Sequence, residues 1–128
     1  MPTNNPIPAF MTSGLPSGGA SGESFVIEEW SGGGPPFLHV HHSDDEAWHI
    51  LEGILTFKFI DGEREATAGT TVFVPAGVAH NYYEAHGSTR YLIIMTPRLR
   101  DLIAELHASP REKLTEIMQK YDTEMIVG

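Results

Sequence analysis

A chain of 128 residues with a formal charge of −9 and no lysine or arginine before Lys58 has no electrostatic means of gripping a nucleic-acid backbone. Without cysteine it forms no disulfide and offers a metal only His, Asp or Glu. No apolar run approaches the roughly 20 residues of a membrane span, and the opening "MPTNNPIPAFMTSG" lacks the basic start and apolar run of a secretory signal. One cytoplasmic domain, bound to neither nucleic acid nor membrane, is the expectation.

Thirteen glycines and nine prolines favour a turn-rich β fold over a helical bundle. Residues 1–22 are rich in Pro, Gly, Ser and Asn and read as an extended arm, with one short strand near Phe10. "FVIEEW" (25–30) is a strand stopped by "SGGGPP". Short strands cut by turns follow: "HVH", "EAWHIL", "ILTFKFI", "TTVFVP", "HNYYEA" and "TRYLIIMT". Leu55, Phe57 and Phe59 alternate with Thr56 and Lys58, the period of a strand with one buried face, and Asp61-Gly62 signals a hairpin turn after it. Residues 23–96 therefore make a β domain. Over residues 97–128 the period becomes helical: Leu99, Leu102, Ile103 and Leu106 follow Pro97, and Leu114, Ile117, Met118 and Tyr121 follow "SPRE". Ser109, Pro110 and Glu112 spell the start of the second helix as a capping box. Both helices are expected on the outside of the β domain, as packing surface without chemistry.

The chemistry concentrates in "GPPFLHVHHSDDEAWHILEG" (34–53), with four of the seven histidines. His39 and His41 flank one residue, so on a strand both imidazoles take the same face. The turn "HSDD" then delivers Glu46, which alternates with Trp48 and Ile50 along the next strand. "GTTVFVPAGVAHNYYE" adds His80 from a distant segment. Three imidazoles and one carboxylate suit Mn, Fe, Co, Ni, Cu or Zn, whereas calcium and magnesium want more oxygen. By the same parity His42 and His49 face away, His42 joining Asp44 and Asp45 in a solvated turn. His86 and His107 read as surface residues.

These segments resemble the two motifs of the cupin superfamily. The first, G-x5-H-x-H-x4-E-x6-G, is matched by Gly33, His39, His41, Glu46 and Gly53; the second, G-x5-P-x-G-x2-H-x3-N, by Gly69, Pro75, Gly77 and His80, with Glu84 where the family usually has asparagine. The resemblance implies an all-β, double-stranded β-helix or jelly-roll barrel, here followed by two short C-terminal helices. It further implies one divalent transition metal per chain on His39, His41, Glu46 and His80, and a homodimer that pairs or exchanges N-terminal strands. The arm before Ser24 is the candidate for exchange; the alternative is disorder. Gly33, Gly53, Gly69, Pro75 and Gly77 are read as turn residues that place the ligands. Trp48, Ile50, Phe73, Tyr82 and Glu84 are candidates to line a substrate pocket, with ordinary barrel core as the alternative for the aromatics. Glu84 needs a buried partner or reaches solvent at the rim.

The chain is thus expected to bind a metal and a small molecule. One reading is a dioxygenase similar to the flavonol and small-diketone dioxygenases among cupins, acting on a small enolisable or phenolic substrate. There Glu46 accepts the enol proton, its pKa raised towards the working pH by desolvation. The alternatives are a non-redox isomerase or decarboxylase on the same metal, and a small-molecule binding module without turnover.

Overall fold

The computed structural model of the chain describes residues 9–11 and 19–126. Its strands are β1 (Gly19–Ser21), β2 (Val26–Trp30), β3 (His39–His41), β4 (Glu46–Glu52), β5 (Ile54–Phe59), β6 (Gly62–Thr67), β7 (Thr71–Val74), β8 (His80–Tyr83), β9 (Arg90–Met95) and β10 (Thr123–Met125). They form two five-stranded antiparallel sheets, ordered β1-β2-β9-β4-β7 and β10-β3-β8-β5-β6. The antiparallel β domain expected from the strand spacing, and the all-β jelly roll that the resemblance implied, are the fold observed.

Alternation drives the packing. In β4, Glu46, Trp48 and Ile50 turn inward; in β9, Tyr91, Ile93 and Met95 do. Their registers, Glu46 opposite Met95, Trp48 opposite Ile93 and Ile50 opposite Tyr91, put all six on one inner face. From the other sheet Leu55 and Phe57 of β5 meet that face, with Phe57 opposite Tyr82 of β8. Each fully buried large apolar side chain contributes on the order of 1.5–3 kcal/mol. Trp48 packs against Phe57 and Tyr82 at ring-centroid distances of 5.1 and 5.3 Å.

Strand β6, "GEREAT", has no apolar period and was signalled only by Asp61-Gly62; the turn there consists of Ile60 and Asp61, with Phe59 opposite Gly62. Residues 9–11 contain no strand and Phe10 is exposed, while the rest of that expectation lies outside the described residues. The described end of the arm, β1, pairs with β2 of the same chain.

Helix α1 (Pro97–Ala108) starts as its sequence suggests: Thr96 Oγ1 accepts from the Leu99 N–H at 3.1 Å, and proline takes the first turn. The expected capping box does not form. Ser109 ends α1, its N–H donating to the Leu106 carbonyl, and a 3-10 turn (Arg111–Lys113) intervenes before α2 (Leu114–Lys120), which has no side-chain cap. Asp122, at φ 55°, then turns the chain into β10. No helix among the described residues is long and apolar enough to cross a membrane.

Candidate metal centre

The two sheets meet at a polar cluster beside the apolar core. His39 and His41 leave β3 on one face, and His80 of β8 sits directly opposite His39 in register. One ring nitrogen from each lies within 4.8 Å of the others. Glu46 reaches in from the facing sheet, its Oε1 at 3.3 Å from His41 Nε2 and 3.4 Å from His80 Nε2. All four side chains are buried.

Two turns bring the strands together. Asp45 Oδ1 accepts from the Ala76 N–H at 2.8 Å, and the His41 carbonyl accepts from the Gly77 N–H at 2.9 Å, so the turn before His80 is tied to the turn before Glu46. Gly77 has φ +91°, where a Cβ would be strained. Asp44 departs from the solvated turn expected of it. It is buried, takes a 2.9 Å bond from the Thr96 hydroxyl and lies 4.0 Å from Arg98, which anchors the start of α1.

The outer partners fix the tautomers. His39 Nδ1 donates to the Phe37 carbonyl at 3.4 Å and His80 Nδ1 to the Val78 carbonyl at 2.9 Å. His41 Nδ1 is 2.9 Å from Thr123 Oγ1, whose own hydrogen goes to the Tyr121 carbonyl at 3.2 Å, so here too the imidazole donates. In neutral rings every Nε2 is then a lone pair, and two of them face the Glu46 carboxylate, acceptor against acceptor. Glu46 Oε1 and His80 Nε2 are buried without a hydrogen-bond partner. Only a positive occupant resolves this, either protons on the rings or a cation among them. Burial, reinforced by the charges of His80 and His41, pushes His39 down to about 3, so it is neutral at pH 7. Burial works against the Glu46 carboxylate, but with protons on the facing imidazoles the hydrogen bonds and charge of His41 and His80 outweigh it and hold Glu46 at about 2. The expected upward shift of Glu46 is therefore reversed.

The donor set fits a divalent transition metal. Ligands each about 2.0–2.1 Å from one ion lie about 3 Å apart, close to the spacing of Glu46 from both imidazoles. Second-layer bonds from the outer imidazole nitrogens are the usual support of ligating histidines.

A cavity of about 410 Å³ opens onto this cluster. Its floor includes His39, His41 and Glu46. Its walls come from Trp30 at the end of β2 and Phe37 beyond it, from Tyr82 and Ile93, and from Leu102, Ile103, Leu106, Leu114 and Met118 of the C-terminal helices. The helices therefore close the mouth of the barrel and shape the site, contrary to the outer packing role expected of them. His107, expected on the surface, is exposed and also borders the cavity, edge-on to Trp30 at 5.8 Å. Among the described residues no lysine or arginine lines the space.

Of the candidate pocket residues, Tyr82 lines the cavity. Trp48 and Ile50 are fully buried in the core, Trp48 packing against His80 at 5.6 Å. Phe73 is 62% exposed: β7 registers Val72 and Val74 with Trp48 and Glu46, which turns Phe73 outward. Glu84 lies beyond the end of β8 and away from the cavity. One of its oxygens accepts from Gly32 N, Thr89 N and Thr89 Oγ1 at 3.0, 2.8 and 2.6 Å, and these bonds, the Thr89 hydroxyl foremost, hold its pKa down. It staples two loops. His42 pairs with Glu124 and His49 bonds Thr71, both away from the centre as parity requires. Gly53 and Gly69 have positive φ; Gly33 does not, and instead packs against the backbone of Tyr82 and Tyr83.

Residues 22–96 match the family model of the cupin domain. Among curated proteins, an uncharacterised protein of Streptomyces coelicolor is 29% identical over 56 residues, 44% of this chain and 53% of that protein's length. A cupin-2 domain protein of Shewanella frigidimarina is similar in structure, with TM-score 0.54 and 25% identity over 66% of this chain and 82% of its own. A sugar phosphate isomerase from a cupin superfamily, from Silicibacter pomeroyi, has TM-score 0.51 and 23% identity over 57% of this chain and 50% of its own. The polyketide cyclase RemF of Streptomyces resistomycificus has TM-score 0.51 and 24% identity over 58% and 55%. The last two are similar in fold alone.

Proposed function

The chain belongs to the cupin domain family, and from that premise we propose that it is a metal-dependent enzyme, a dioxygenase acting on a small, largely apolar phenolic or enolisable substrate. The observation that carries this reading is a cluster of three imidazoles and a carboxylate, of which His39, His41 and Glu46 floor an apolar cavity of about 410 Å³.

His39, His41, His80 and Glu46 would hold the metal, which when bound supplies a Lewis acid and a template for substrate and dioxygen. His39 is neutral at pH 7 and binds without first losing a proton. Glu46 supplies negative charge at a group held ionised; it takes up a substrate proton only when released from His41 and His80. The apolar walls exclude water from the reacting centre and orient a ring against Tyr82 and Ile93.

The wall chemistry favours this reading over one competitor, a phosphorylated sugar as substrate. A sugar phosphate carries charge that a binding site meets with Arg, Lys or a helix N-terminus, and among the described residues no Arg or Lys lines this cavity. The test is oxygen uptake by metal-loaded protein with small phenols, flavonols and 1,3-diketones, beside phosphorylated sugars and keto acids under argon. Oxygen consumption with the apolar panel is expected. Conversion that persists without oxygen would replace the dioxygenase by an isomerase or decarboxylase, and saturable binding without turnover would leave a binding module.

A further inference from the structure

The outer bonds of the three histidines differ in origin. His39 and His80 each donate to a carbonyl two residues earlier, bonds that the local chain supplies. His41 instead reaches Thr123 at 2.9 Å, 82 positions along the chain and outside the family-matched residues 22–96. Thr123 is buried, and β10 holds it directly opposite His41 in the ladder. Further bonds tie β10 and the turn before it to the site: His42 N to the Asp122 carbonyl at 2.9 Å, Ile126 N to the Leu38 carbonyl at 2.8 Å, and the Ser43 hydroxyl to the Asp122 carboxylate. The helix just before that turn, α2, supplies Leu114 and Met118 to the cavity wall.

We propose that Thr123 is a positioning residue for the metal centre: by spending its hydrogen on the Tyr121 carbonyl it presents a lone pair to His41 Nδ1–H, and so fixes the ring with Nε2 as the free donor. This rests on the reading of the cluster as a metal site. A hydroxyl with its hydrogen free could instead donate to Nδ1 and stabilise the tautomer with a proton on Nε2, which cannot ligate. The Tyr121 carbonyl removes that choice, so ligand orientation depends on a segment that also walls the cavity. Outer-layer bonds of this kind change metal affinity by about 10–100-fold when lost.

The test is titration of Co²⁺ into the metal-free full chain, read by calorimetry and by the visible d–d absorption of the bound ion, with thermal unfolding of each metal-free protein alongside. Thr123→Val keeps the shape and removes the hydroxyl; it is expected to bind Co²⁺ about 10–100-fold more weakly with an altered d–d spectrum. Thr123→Ser restores the hydroxyl and is expected within about threefold of wild type, on the view that the bond and not the methyl sets the affinity. Wild-type affinity and spectrum in Thr123→Val overturn the proposal, as does equal weakening in both variants, which marks a packing role. A wild-type protein that takes up no Co²⁺ overturns the metal reading itself, and this proposal with it.

Discussion

Gly53 carries two constraints at once. Its φ is +81°, and a Cβ there would stand 2.5 Å from the Ser88 carbonyl oxygen; Gly77 shares the positive φ, but its Cβ would meet nothing within 4 Å. Left-handed backbone costs an L-residue about 1–2 kcal/mol, so Gly77→Ala should lose about that much in urea unfolding, and Gly53→Ala distinctly more. Equal losses would mean that the Ser88 contact relaxes freely. Glu84 is the residue whose surroundings sequence could least convey. As a pocket candidate it would have to continue the alternation of His80 and Tyr82, but β8 ends at Tyr83, and beyond a strand's end alternation no longer dictates direction. Glu84→Ala is expected to lower the unfolding midpoint and leave metal content unchanged; loss of metal would return Glu84 to the site. Phe73 failed for a related reason, since an apolar residue in "TVFV" has no parity reference until β7 is paired with β4.

Among elements, the strands that carry the candidate ligands were the most legible, because the His39-x-His41 spacing and the alternation of Glu46, Trp48 and Ile50 act within single strands. Strand β10 was not legible: three residues, "TEM", become a strand only through pairing with β3. The capping box at Ser109 was a local signal overruled by the 3-10 turn that leads into α2. The start of α1 has its own lock, for Thr96 accepts from Leu99 N and donates to the buried Asp44. Thr96→Val removes both bonds and should cost about 1–2 kcal/mol in chemical unfolding. Thr96→Ser keeps both and should cost far less; a similar loss in the two would assign the effect to packing of the methyl.

For the whole molecule, the candidate metal centre joins the sheets, three imidazoles from one and Glu46 from the other. A bound ion therefore stabilises the folded form through linkage. The same cluster sets the acid response of the metal-free protein. His39 falls from 6.5 unfolded to about 3 folded, and Glu46 from 4.5 to about 2. In both the unfolded chain binds more protons between the two values, so stability is full above pH 6.5 and declines as pH falls towards 3. In chelator, the unfolding temperature of wild type should drop through this window and that of His39→Asn should drop less; parallel curves would remove His39 from the account. The barrel and the convergence of the three histidines and Glu46 were readable because spacing on strands is a local property. The roof of the site was not, because an amphipathic helix announces only that one face is covered, and here that face covers a cavity.

The central claim is that His39, His41, Glu46 and His80 hold one transition metal. Elemental analysis of protein purified without added metal, beside His80→Ala prepared in parallel, tests it most directly. Close to one Mn, Fe, Co, Ni, Cu or Zn per wild-type chain, falling to a small fraction in His80→Ala, is the predicted result. Sub-stoichiometric metal in wild type, unchanged by His80→Ala, would contradict it.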